Sequence, residues 1–227
     1  AMGLVVGSIV FNATLYLTPQ PAGYFFNYDM GNSDLFSLFG TVGGIGQILS
    51  MASLPILRKR WTGKAILSGS LCVTISGYVM LFAFSALGIT AVPLLAAVAF
   101  IIYIGFGLAT VLTTIFLADT VDYGELKTGR RSESVIFSMQ TFVVKLASAV
   151  SVLIAGVGID VIGLDTSAEV QTAQTLMGLR VLMMAVPIAG LVFSICYFRS
   201  RYKLTDEENA RIAQALKERR SETEATK

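Results

Sequence analysis

Lys145 is the only charged residue between Glu133 and Asp160, in a stretch dominated by aliphatic, aromatic and hydroxyl-bearing residues. An α-helix rises ~1.5 Å per residue, which puts Lys145 roughly 18 Å beyond Glu133. That depth is near the middle of a hydrocarbon layer about 30 Å thick. A lysine there costs about 2.5–3.5 kcal/mol on insertion scales, so it faces a partner or a water-filled cavity. At ~100° per residue, Ser134, Ser138, Thr141, Lys145 and Ser148 share an arc of about 80°. Gln140 and Ser151 lie outside that arc. Hydroxyls alone could bond their own helix or join two helices. The lysine has no such explanation. A cation among hydroxyls suits an anion, a carboxylate partner or a hydroxyl-rich ligand such as a sugar.

A second constellation precedes this helix. It reads Asp119-Thr-Val-Asp122-Tyr-Gly-Glu125-Leu-Lys-Thr-Gly-Arg130-Arg131. Acids at spacing three meet a basic pair at the expected mouth of a span. Asp119 is expected at a helix C-terminus, where the backbone dipole disfavours negative charge. Arg130, Arg131 or Arg58–Arg60 would compensate it. Ion pairs that form in one conformation and break in another make a gate. An ordinary solvated loop would offer only a surface pair, worth at most ~1 kcal/mol.

These residues need a membrane framework. The 227 residues are 54% hydrophobic and 14% charged, with net charge +2. Six apolar stretches are long enough to cross, at roughly 2–28, 34–57, 64–87, 91–118, 133–163 and 176–199. The expected architecture is an all-α membrane protein: a six-helix bundle over 1–200 and a polar tail over 201–227. Arg58, Lys59, Arg60, Lys64, Lys127, Arg130, Arg131, Arg199, Arg201 and Lys203 fall on one side. The loops around 27–34, 87–90 and 163–175 carry no Lys or Arg. The positive-inside rule then puts both ends in the cytoplasm. Trp61 and Tyr202 sit beside the basic clusters, where aromatic rings favour the interface.

Smaller signals refine this picture. Pro19 and Pro21 should break or kink the first span, because proline lacks an amide donor. Gly40 and Gly44 have the spacing that lets helices approach closely. Thr205-Asp-Glu-Glu208 fits a capping box, and Ile212, Ala215 and Leu216 form a stripe for a short amphipathic helix beneath the bundle. Cys72 and Cys196 lie in apolar runs and read as core residues. The absence of histidine excludes His-based zinc sites, triads and proton relays. The opening residues enter an apolar run with no basic leader, which is expected of a piece of a longer protein.

The motif from Asp119 to Lys145 resembles the glycoside–pentoside–hexuronide:cation symporters of the major facilitator superfamily, a family that includes the melibiose permease. The matching residues are Asp119-x-x-Asp122-Tyr-Gly-Glu125-x-Lys127, Arg131-x-Glu133 and Ser138-x-Gln140-Thr141-x-x-x-Lys145. Tyr24-Phe-Phe-Asn-Tyr28-x-x-Gly31 is similar to the end of the family's seventh helix. Arg60-Trp-Thr-Gly63-Lys64 is similar to the superfamily's basic loop motif. The resemblance implies helices seven to twelve, the carboxy-terminal bundle of a two-bundle transporter with substrate at the midplane. It implies that Lys145, Thr141, Val144 and Gln140 face the sugar and cation region. Asp119, Asp122, Glu125 and Arg131 would form the cytoplasmic gating network. Sodium or a proton would be held mainly by acidic residues of the amino-terminal bundle, with no other cofactor or resident metal. Thr110 departs from the family: the melibiose permease has tryptophan there, so a stacking surface is missing and an α-galactoside is disfavoured.

Three alternatives compete. Related symporters for lysolipids or other solutes share similar motifs. A stand-alone six-helix half could act as a partner subunit. A membrane prenyltransferase would use Asp119-x-x-Asp122 to hold magnesium and diphosphate, but its required second aspartate motif is missing. The expectation is a transporter half and not an enzyme, in a bacterial inner membrane, with a sugar, the amino-terminal bundle and lipid as partners and no nucleic acid.

Overall fold

A computed structural model describes residues 2–128, 133–168, 170–201, 208–209, 211–212 and 214–216. Every regular element in it is helical. In chain order these are α1 (Met2–Leu17), α2 (Pro19–Tyr24), a π-helical turn π1 (Phe25–Asp29), α3 (Asp34–Leu57), α4 (Gly63–Ala86) and α5 (Val92–Thr128), followed by α6 (Glu133–Val161), α7 (Ala173–Arg180), a second π turn π2 (Val181–Ala185) and α8 (Val186–Arg201). Five stretches are long and apolar enough to cross a membrane: Asp34–Leu57, Gly63–Ala86, Val92–Leu126, Ser138–Val161 and Ala173–Ser200. The chain is therefore an integral membrane protein.

Residues 2–29 form a broken helical run. Proline has no amide hydrogen and its ring obstructs the preceding turn, so α1 ends at Leu17 and α2 begins at Pro19. Thr18, between them, keeps right-handed helical angles. Its hydroxyl donates to the Thr14 carbonyl at 3.2 Å and is shared with the buried Tyr78 hydroxyl. The break is thus held by α4.

Helix starts and stops follow local chemistry. Thr62 and Thr172 are extended, and their hydroxyls accept from the amides of Ala65 and Thr175 at 3.3 and 3.1 Å. These are side-chain N-caps. At the other end of α4, Gly88 adopts φ 67° and the Ile89 amide donates to the Phe84 carbonyl at 2.8 Å. Gly163 repeats the device after α6, with Leu164 donating to Ile159 at 3.3 Å. Only glycine takes that left-handed position without strain.

The core is organised on α5, which packs against α3 and α4. Glycines allow the approach. A Cβ on Gly46 would lie 2.8 Å from Phe100 Cδ2, and one on Gly107 would lie 2.6 Å from the Gln47 carbonyl oxygen. Among the described residues, nothing lies within 4 Å of a Cβ at either glycine of the expected pair, Gly40 and Gly44. The spacing was right but the face was wrong, because Gly43 and Gly46 point at Tyr103 and Phe100. Phe26, Phe39, Tyr103, Phe106 and Phe11 continue the core as ring contacts 5.2–6.2 Å apart.

Helix α5 also corrects the sequence reading. The apolar run ends near Leu117, but the helix continues to Thr128. Asp119 therefore lies inside a helix, not at its C-terminus, and no terminal dipole acts on it. Arg130, Arg131, Tyr202 and the Thr205 cap lie outside the described residues. In the tail, residues 208–209, 211–212 and 214–216 are helical, and Ile212 and Leu216 are buried.

Candidate functional site: a polar pocket beside an open helix face

Helix α6 packs on α1 and lightly on α5. Only 22% of its most apolar window is buried, the lowest share of the five candidate spans. The rest of its surface is open. Ser138, Thr141 and Lys145 are exposed on it, and Ser148 is half-buried. Among the described residues Lys145 has no hydrogen-bond or ion-pair partner. Its four-carbon stem can lie along the apolar helix while the ammonium reaches polar surroundings.

A pocket of about 120 Å³ lies where α6 meets α1 and α5. Thr110 and Thr114 line it from α5, Gln140 and Val144 from α6, and Asn12 and Tyr16 from α1. Gln140 Nε2 donates to Thr114 Oγ1 at 3.3 Å, which ties the two helices together. Thr110 donates to the Phe106 carbonyl at 2.7 Å, and Asn12 Nδ2 donates to the Ser8 carbonyl at 2.7 Å. Thr110's proton is spent on the backbone, so its Oγ1 remains an acceptor, while Asn12 keeps its Oδ1 acceptor and its second amide hydrogen. The Tyr16 hydroxyl has no partner among the described residues, so it can donate or accept. Among the described residues, no charged side chain lines the pocket. Leu15, Leu117, Met139, Val143 and Val144 make much of its wall, so it offers a few hydrogen-bonding groups in a mainly apolar setting.

Of the residues singled out from sequence, Thr110, Gln140 and Val144 come together here. Thr141 and Lys145 lie on the adjoining exposed face of α6 and do not line the pocket. Asn12 and Tyr16 were missed. Their signal in the sequence is a polar residue repeated four positions apart on α1.

The acidic set is on the last turns of α5. Asp119, Asp122 and Glu125 are all half-buried there. Asp119 Oδ2 accepts from Asn209 Nδ2 at 2.8 Å, so the tail reaches this helix. Arg131, the proposed partner, is not among the described residues.

A third polar cluster was not anticipated. Arg180 Nε donates to Asp29 Oδ1 at 2.9 Å and to Oδ2 at 3.2 Å. Its Nη2 lies 2.9 Å from Oδ1 and donates to the Ser85 carbonyl at 3.3 Å. The Ser85 hydroxyl also donates to Asp29 Oδ2. The Asp29 side chain is 0% exposed and that of Arg180 21%. This cluster joins π1, α4 and the α7–π2 junction. The sequence signal was an acid and a base near span ends on the same side of the bundle.

Apolar helices of spanning length with a pocket set among them define an integral membrane protein. The chain belongs to the MFS/sugar transport protein family, whose description matches residues 2–206. It is 31% identical over 193 residues to the uncharacterized symporter YjmB of Bacillus subtilis (strain 168), covering 85% of this chain and 41% of that protein. It is 28% identical over 206 residues to a lactose permease of Lactobacillus delbrueckii subsp. bulgaricus, covering 90% and 32%. It is 28% identical over 197 residues to a raffinose carrier protein of Pediococcus pentosaceus, covering 85% and 30%. The chain thus spans between about a third and two fifths of the curated relatives it matches.

Proposed function

We propose that this chain is the carboxy-terminal bundle of a cation-coupled sugar symporter that works by alternating access. The observation that carries the reading is the uncharged, acceptor-rich pocket of Thr110, Gln140, Asn12 and Tyr16 beside an open helix face bearing Lys145. A second bundle facing α6 would close the pocket and surround the lysine. Relatives named for lactose and raffinose support a sugar as the cargo.

Residues 2–29 are the sixth crossing, broken at Pro19 but helical throughout. Both ends of the chain are cytoplasmic, because the basic residues cluster beside Arg58–Lys64 and after α8. The coupling ion, sodium or a proton, binds chiefly to acidic residues of the other bundle. Lys145 balances that acidic site, so cation and sugar favour one another's binding. Asp119, Asp122, Glu125 and Arg131 act at the cytoplasmic end, where their pairings change between the two states. The tail from 201 to 227 lies beneath the bundle on the same side.

The test is uptake by the full-length parent in cells lacking other sugar permeases. The panel is radiolabelled lactose, raffinose, a pentoside and a hexuronide, each with and without sodium. Cation-dependent accumulation of one of them is expected. Accumulation of none, with uptake of a lysolipid instead, would overturn the sugar reading.

A further inference from the structure

We propose a second sugar site, at the extracellular end of the bundle, that captures substrate before it reaches the central pocket. This rests on the symporter reading and its orientation above. The site is an open recess of about 390 Å³ between α2, π1, the start of α3 and the loop at Thr166. It lies at the end of the bundle opposite the Arg58–Lys64 turn, because it includes the first residues of α3 while that turn follows the last.

Its lining has the chemistry of carbohydrate recognition. Gln20 and Asn27 are exposed, and neither carboxamide has a partner among the described residues. Each offers a carbonyl acceptor and an amide donor pair, which match vicinal hydroxyls. Tyr24, Tyr28 and Phe36 supply aromatic faces, and Phe36 is 43% exposed. Tyr28 is held in place by donating to the Thr166 carbonyl at 3.3 Å. A Cβ on Gly23 would meet nothing within 4 Å, so the helix surface lies open there. Among the described residues the lining contains no charged side chain, which favours a neutral ligand over an anion or cation.

The recess is continuous in pattern with the central pocket. At ~100° per residue, Asn12, Tyr16, Gln20, Gly23 and Asn27 fall within about 80° of one another. They form one polar stripe along the broken first helix. Asn12 and Asn27 are ~22 Å apart along it, too far for one sugar to touch both. Asn27 lies within the π turn, which Asp29 anchors through Arg180 and Ser85.

The experiment compares right-side-out and inside-out vesicles carrying the full-length parent. The probe is whichever radiolabelled sugar of the panel above the wild type accumulates fastest. Gln20→Leu and Asn27→Leu each remove hydrogen bonds at similar volume, and Gly23→Leu fills the recess. Gln20→Leu and Asn27→Leu are each expected to raise the KM measured from the outer face about tenfold, as loss of one or two hydrogen bonds would, and Gly23→Leu at least as much by blocking the recess. The KM measured from the cytoplasmic face should not change, while the maximal rate from that face should fall by the same tenfold, because the ratio of maximal rate to KM must change equally in the two directions. An unchanged outer KM in all three variants overturns the site. Equal rises from both faces also overturn it, because the residues would then act in the central pocket or on the fold. Absence of any sugar uptake by the wild type is a different failure, which removes the symporter reading and this site with it.

Discussion

Arg180 grips Asp29 across 151 residues of chain, and the carboxylate it holds is wholly buried. The pair closes the non-basic end of the bundle. It sits where two π turns meet, at the last residue of π1 and the residue before π2. A π turn sacrifices regular hydrogen bonding, so it persists where other contacts hold it. Here the guanidinium and the Ser85 hydroxyl provide them.

Breaking the pair should therefore cost more than a surface ion pair. Arg180→Gln alone is expected to destabilise by about 3 kcal/mol, because it leaves the buried Asp29 carboxylate uncompensated, and Asp29→Asn by less, because the Arg180 side chain it strands is partly exposed. The double variant should lose less than the sum of the two, read as non-additive shifts in thermal unfolding of the purified parent. Strict additivity would mean the two residues do not act as a pair.

The glycines of α3 and α5 give a contrast within one structural class. Gly44→Ala should change stability by no more than about 0.5 kcal/mol, since nothing lies near its Cβ position. Gly107→Ala should cost about 2 kcal/mol or more, because its Cβ would meet the Gln47 backbone, which cannot rotate away. Thermal unfolding in one detergent would check both. Equal effects would mean that α3 and α5 adjust freely against one another.

Asp122→Asn tests the acidic end of α5. Neutralising it should slow exchange between inward and outward states several-fold, with equilibrium sugar binding close to normal. Counterflow and equilibrium binding on the same vesicles separate the two. Lost binding with normal exchange would place Asp122 in the binding machinery instead.

Hydropathy marks membrane boundaries, and this explains what could be read in advance. The span expected at 34–57 is α3 residue for residue, and α4 is displaced by one residue. The fourth span was cut short at 118 because charge begins at Asp119, yet charge does not end a helix and α5 runs to Thr128. Lys145 stands out from its surroundings as a cation among apolar residues, whereas Thr110 stands out only through the resemblance to the melibiose permease. Asn12 and Tyr16 became visible only when α1 was seen beside α6. The Asp29–Arg180 pair was hidden for a different reason. Each charge alone reads as an ordinary residue at a span end, and only the fold joins them. Gly40 and Gly44 carry the same lesson, since spacing identifies a face but cannot say what the face meets.

The central claim is that Lys145 couples cation to sugar across an interface with a second bundle. Its most direct test is Lys145→Ala in the full-length parent, with membrane insertion, downhill exchange and uphill accumulation measured together. The account predicts normal insertion, retained downhill movement and loss of cation-driven accumulation by at least about tenfold, which corresponds to about 1.4 kcal/mol of lost coupling. Uphill accumulation at the wild-type level would contradict it.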